Sequence, residues 1–369
     1  MSDAIVRDAI RALPVYNSGA PLDVVRRELG LTELAKLDSN ENPLGMSPAA
    51  EAAARAALHE ANRYPDRDET TLREMIAGAL AVNADRLVFS GGSEDVLSII
   101  YRMILEPDHA VVTTSPGFGL HAIYAQVAGA TVHLCQHLAD WSFPVDEIVS
   151  HMRDGARIVA IASPSNPVGA MLTRADIDAI LDAAGDHCMV IFDEAYIEFA
   201  GAQWQRYVLQ RLRMHHGPWA VLRTFAKAYG MAGMRIGYGI VYSAGFAANF
   251  HKTRSPFNVN AVALAAAEAA FADEEHMRRS VAELCARRDV MASALAQQGF
   301  MSAPSSGNFL FVDTGADSRL FADALKRRGV LVKPWLETGY TTFVRATVGL
   351  EQECATLIEA MAAVRAELD

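Results

Sequence analysis

From about residue 86 the chain alternates between two hydrophobic patterns. Short runs rich in β-branched residues recur: RLVF (86–89), AVVTT (110–114), RIVAIA (157–162), MVIF (189–192) and WAVLRT (219–224). Longer segments with helical periodicity separate them. A strand that is apolar at nearly every position is covered on both faces, so the alternation predicts an α/β fold in which helices flank a mostly parallel sheet. After about residue 245 the pattern changes. A long helical stretch (258–297) leads to FLFVDT, GVLVK and FVRATV, with helices over roughly 316–328 and 350–368, and reads as a smaller α/β unit. The predicted organisation is an N-terminal arm with a small-domain segment (1–44), a large domain (45–245), and a linker helix with a small C-terminal domain (246–369).

Composition narrows the function classes. The 369 residues suit two domains, and 51% hydrophobic with 21% charged is a globular balance. A net charge of −11 offers no footprint for nucleic acid or an anionic membrane surface. The N-terminus has no apolar leader, and no run approaches the ~18 apolar residues of a membrane helix, so a cytoplasmic enzyme is expected. The four cysteines are widely spaced without a CxxC and read as reduced thiols. His133 and His137 lie four apart in the strand-like ATVHLCQH, without a third ligand, so a metal site is not expected.

In an open α/β sheet ligands bind beyond the carboxyl ends of strands, and four loops there carry polar chemistry. SGGSED (90–95) follows a strand and opens a helix. The amides of Gly92, Ser93 and Glu94 suit a phosphate, although a plain turn with Ser93 as the helix cap fits equally well. SPSNPVG (163–169) holds Asn166 between two prolines, as a ligand-facing amide or simply a rigid loop. In FDEAYIEF (192–199) Asp193 ends an apolar strand, where an ionised carboxylate needs a cationic partner or a capping role. In RTFAKAYGMAGMRIGYG (223–239) Lys227 has apolar flanks that favour a neutral, nucleophilic amine, and Arg235 follows as a bidentate anion donor. Together these are the parts that hold and polarise pyridoxal phosphate.

SNENP, RYPD, SPSNPVG, FDEAYIEF and the AK-x-YG-x-AG-x-RIGY segment resemble the fold-type I pyridoxal-phosphate aminotransferases. The similarity runs from LDSNENPLGMSP (37–48) to FVRATVG (343–349) and looks closest to the histidinol-phosphate aminotransferase family. The resemblance implies that Lys227 holds the cofactor as an imine and Asp193 pairs with its ring nitrogen. It implies that Asn166 and Tyr196 bond its phenolic oxygen and that Phe118 stacks on its ring. Arg235, Gly92, Ser93, Glu94 and Thr224 belong to the cofactor site, joined by Tyr64 of the other subunit of a homodimer. Tyr16, Asn42, Lys333 and Arg345 fall at substrate positions, Arg345 matching the arginine that binds the substrate carboxylate. The chain departs from the family at Ala226, usually serine or threonine, and at Lys333, typically a second arginine. The implied activity moves an amino group between glutamate and a second substrate, most closely histidinol phosphate and imidazole acetol phosphate. Lys227 acts as general base and acid, with ping-pong kinetics. Aromatic or other amino-acid transamination, decarboxylation on the same fold, and a non-enzymatic regulator are the other readings. A regulator of that kind needs a DNA-binding segment, and this chain has neither the extra length nor a basic region for one.

Overall fold

The computed structural model describes residues 5–15, 22–30 and 34–368; Tyr16 lies outside the described residues. Its strands fall into two sheets. The first strand, β1 (Ala35–Leu37), belongs to the second sheet. The next seven build the main one: β2 (Leu87–Ser90), β3 (Ala110–Ser115), β4 (Thr131–Gln136), β5 (Ile158–Ala162), β6 (Met189–Asp193), β7 (Trp219–Thr224) and β8 (Gly237–Val241). Their spatial order is β2-β8-β7-β6-β5-β3-β4. β8 runs antiparallel to both neighbours, and the remaining pairs are parallel.

Side chains alternate across a strand, so an apolar run serves two cores. In β5, Ile158 and Ala160 pack with Val88, Ile191 and Leu222. Val159 and Ile161 pack with Phe89, Phe192 and Val221 on the other face. The apolar runs thus form the mostly parallel, doubly covered sheet that the sequence predicts. Strand β8 escapes the pattern because Gly237 and Gly239 give it no side-chain signature. Gly237 is required there: a Cβ would lie 2.4 Å from the backbone nitrogen of Ser93.

The second sheet has the order β1-β11-β12-β10-β9, with β9 (Met301–Ser302), β10 (Phe309–Asp313), β11 (Val330–Pro334) and β12 (Phe343–Thr347). β1 lies parallel to β11; the other pairs are antiparallel. Leu284, Met291 and Leu295 of one helix, Phe321 and Leu325 of another, and Leu357 and Met361 of the C-terminal helix cover it. The long helical stretch divides into Ala261–Ala272 and Glu274–Gln297, because Asp273 leaves helical geometry and its carboxylate caps the second helix at the His276 amide.

An aromatic joint braces the sheets. Trp141, beyond β4, packs against Phe311, Tyr340 and Phe343 with ring centroids 5.5–6.1 Å away. Nearby, the Ser115 hydroxyl donates to Glu337 at 2.7 Å. This joint sets β11 and β12 over the carboxyl ends of the central parallel strands. Cys135, Cys188, Cys285 and Cys354 are all free thiols. Among the described residues no helix is long and apolar enough to cross a membrane.

Candidate active site

The carboxyl ends of β2, β5, β6 and β7 converge on one cleft, closed from the other side by Asp38, Ser39 and Asn40 after β1 and by Lys333 and Arg345 of the small sheet. Gly92, Ser93, Glu94, Phe118, Asn166, Asp193, Tyr196, Thr224, Lys227 and Arg235, all expected from the sequence, line it as well.

One end is built for an anion. β2 stops at Ser90, and Gly92 precedes the helix Ser93–Ile104 with φ 109°, a conformation that favours glycine, and with no side chain capping the first turn. Ser93 is therefore the first helical residue rather than the cap, and the free amides of that turn give the helix N-terminus its affinity for phosphate. Arg235 folds over the turn: its Nη2 donates to the Gly91 carbonyl at 3.0 Å and lies 3.5 Å from Glu94. A Cβ on Gly92 would sit 2.9 Å from the same nitrogen. Thr224 accepts a hydrogen bond from the Ala226 amide at 3.1 Å, which fixes the turn leading to Lys227.

The other end carries a buried carboxylate. Asp193 closes β6, with Oδ1 accepting from the Ala195 amide at 3.1 Å and Oδ2 lying 3.1 Å from His121 Nε2. His121 Nδ1 in turn lies 3.2 Å from the Thr113 hydroxyl. One tautomer satisfies the chain, with Nε2–H donating to Asp193 and Nδ1 accepting from Thr113. The next acid, Glu194, points to the opposite side of the strand and pairs with Arg223 at 2.7 Å. Asp193 thus presents its carboxylate to the cleft, where a protonated ring nitrogen would pair with it.

Lys227 donates to the Ser39 carbonyl at 3.3 Å. Burial, reinforced by the Arg345 charge, pulls its ammonium down to about 7. Its Nζ stands 5.8 Å from the Tyr196 ring, and the Tyr196 hydroxyl accepts from Asn40 at 2.9 Å. Arg345 is buried, donating from Nη1 to Asn166 Oδ1 at 2.8 Å and from Nη2 to the Asp38 carbonyl at 2.5 Å. Lys333 is its register partner on β11 and is drawn down to about 8 by burial and by Arg345, against the pull of Asp38. Phe118 lies edge-on to His121, with centroids 5.5 Å apart.

Two sequence-derived positions fall elsewhere. Asn42 does not line the cleft: its amide donates to the Ala228 carbonyl and the Ser280 hydroxyl, tying its loop to the fold. The cleft-facing asparagine of SNENP is Asn40, whose φ of 53° turns the loop inward. Tyr64 is 81% exposed outside the cleft and stacks on Phe257 at 4.5 Å. Sequence reasoning also missed His121, although an imidazole in the first turn of the largely apolar GLHAIYAQVA helix was a usable signal.

The donor set fits pyridoxal phosphate: an anion cradle, a buried carboxylate and a lysine that loses its proton near neutrality share one cleft. Residues 32–361 match the family described as aminotransferase class I and II. The chain is 40% identical to histidinol-phosphate aminotransferase 1 of Mesorhizobium japonicum, over 95% of this chain and 96% of that one. It is 37% identical to histidinol-phosphate aminotransferase 3 of Rhizobium meliloti, over 98% of each. The crystal structure of the histidinol-phosphate aminotransferase from Sinorhizobium meliloti in complex with pyridoxal-5'-phosphate superposes with a TM-score of 0.91, at 25% identity, over 100% of this chain and 99% of that one. The cleft chemistry and the full-length similarity agree: the chain belongs to the class I and II aminotransferases, on their histidinol-phosphate aminotransferase branch.

Proposed function

We propose that the chain binds pyridoxal 5'-phosphate in this cleft and, as a cytoplasmic homodimer, transfers an amino group between glutamate and the histidinol phosphate/imidazole acetol phosphate pair. The observation that carries the substrate is the near-full-length identity to relatives named for it. The adjacent cations Lys333 and Arg345 support it, since both glutamate and a phosphate ester need an anion site. The division into an arm with a small-domain segment (1–44), a large domain (45–245) and a C-terminal unit (246–369) belongs to the same proposal.

Arg235 and the amides of Gly92 and Ser93 would hold the phosphate, Asp193 the ring nitrogen, and Asn166 and Tyr196 the phenolic oxygen, with Phe118 against the ring. When bound, the group supplies an electron sink that acidifies the substrate Cα–H. Lys227, a neutral amine above pH 7, takes the Cα proton as general base and returns it as general acid. Asp193, steadied by His121, sets its carboxylate where the sink needs it. Arg345 offers a planar fork to the substrate anion, and Lys333 a point charge beside it.

A panel of amino donors with 2-oxoglutarate tests the substrate. Wild type is expected to turn over histidinol phosphate. A protein that ignores it but accepts an aromatic amino acid overturns that part of the proposal. Arg345→Lys loses the planar fork whose separate nitrogens reach Asn166 and the Asp38 carbonyl and can still clamp an anion. Losing one charge-assisted hydrogen bond of roughly 1.5–3 kcal/mol, it should lower kcat/KM about tenfold or more with glutamate and with histidinol phosphate alike. Lys333→Arg should be milder and improve histidinol phosphate turnover.

Shared sites give a second test. Tyr64 lies outside its own cleft, as a residue that serves the other subunit would. Mixing inactive Tyr64→Ala and Lys227→Ala subunits should restore activity through hybrid dimers. Absence of recovery despite demonstrated subunit exchange counts against sharing.

A further inference from the structure

At the β4 edge of the main sheet, outside the cleft lining, strand and helix bring together three kinds of metal-ligating side chain. Positions 133 and 135 share one face of β4 by strand periodicity, and the helix Val145–Arg153 packs on that edge. Glu147 and His151 are four apart on that helix and share a side of it. The Cys135 sulfur, a Glu147 carboxylate oxygen and a His151 ring nitrogen all lie within 4.8 Å of one another. The His133 ring stacks on His151, with centroids 4.1 Å apart and planes 18° from parallel. The histidine pair visible in the sequence, His133 and His137, is not the relevant one. His137 turns its Nδ1 to the carbonyls of Trp141 and Ser142, whereas the third ligand type comes from a helix ten or more residues downstream.

We propose that Cys135, Glu147 and His151 form a binding site for a zinc-class divalent cation, with His133 orienting the His151 ring and water filling the fourth position. One sulfur, one imidazole nitrogen and one carboxylate oxygen select a borderline-soft ion over magnesium or calcium, which prefer all-oxygen shells. Tetrahedral zinc with ligand bonds of about 2.0–2.3 Å holds its ligand atoms less than about 4 Å apart, and these three already lie within 4.8 Å of one another. Glu147 is exposed, so its long side chain can rotate to seat its carboxylate on an ion. Cys135 is buried beneath the helix, so the ion would sit between strand and helix and staple the helix to an edge strand. On binding, the thiol gives its proton to solvent and sulfur donates an electron pair to the metal. The role is structural, and no step of transamination passes through it.

The test uses the full-length, cofactor-loaded enzyme titrated with Co2+, read by its visible ligand-field absorption, and with Zn2+ in competition with a chromophoric chelator. The expected result is one equivalent per chain with an intense, tetrahedral-type Co2+ spectrum. His151→Gln and Glu147→Gln should weaken binding more than tenfold, and His133→Ala, which removes only the supporting ring, about tenfold. Saturating Zn2+ should raise the Tm of wild type and leave the Tm of His151→Gln unchanged. Cys135→Ser should abolish the sulfur signature. Should that buried substitution fail to fold, the two surface variants decide alone. Wild-type affinity in both of them, no stoichiometric uptake, or a weak octahedral Co2+ spectrum indifferent to all three ligands overturns the proposal.

Discussion

Lys227→Ala should lower kcat by at least about 10²–10⁴-fold, the range a positioned general acid–base contributes, and should leave no covalently held chromophore. The fold should persist, because alanine removes a cation-bearing chain from a site that burial has already made hostile to charge. The same burial predicts a pH profile. The ammonium is pulled down to about 7, so the neutral amine is present above that pH and lost below it. Uptake of pyridoxal phosphate by the apoprotein should rise through pH 7 and level off, whereas an ordinary lysine would keep climbing towards ~10.4. Rapid-mixing absorbance measurements from pH 5.5 to 10 separate the two, and a profile still rising at pH 9 contradicts a desolvated Lys227. The stability consequence has a definite sign. Between about 7 and 10.5 the unfolded lysine binds more protons than the folded one, so this group makes apoprotein stability rise with pH across that window. Its penalty is complete below pH 7, and Lys227→Met apoprotein should melt above wild type there.

Asp193→Asn should be the next most damaging change. The buried carboxylate sits on an amide and an imidazole, and replacing it removes the charge while keeping the shape. Losing a charged hydrogen bond of roughly 1.5–3 kcal/mol predicts a fall in kcat of about 10- to 150-fold, with weaker retention of the cofactor on dialysis. His121→Asn, which acts through Asp193, should cost less and shift the pH profile of kcat rather than abolish turnover. Asp193→Asn retaining kcat within twofold of wild type would reduce the carboxylate to a structural role.

What could be read from the sequence follows from what each residue reports locally. Asp193 stands out because a charged residue at the end of an apolar strand has few structural excuses, and Lys227 because apolar residues flank it on both sides. Asn166 and Arg235 are marked by prolines and glycines that punctuate their loops. Asn40 and Asn42 could not be told apart, because the inward turn at Asn40 depends on a backbone angle that two asparagines satisfy equally well. His121 gains its meaning only from Asp193, 72 positions away. β8 is concealed by the very glycines that let it approach Ser93, and the grouping of Cys135, Glu147 and His151 exists only once a helix has been laid on a strand.

The pairing of β1 with β11 has a consequence for how the protein is made. The loop carrying Asp38, Ser39 and Asn40 is suspended from a strand whose partner is synthesised about 300 residues later, so at 5–20 residues per second the ribosome leaves β1 waiting for some 15–60 s. The main sheet has all seven strands by Val241 and can form during that interval. The wall that presses on Lys227 cannot. Until β11 and β12 emerge, the nascent enzyme holds its lysine in an open half-cleft, and the low-proton-affinity amine comes into being only after they have been made.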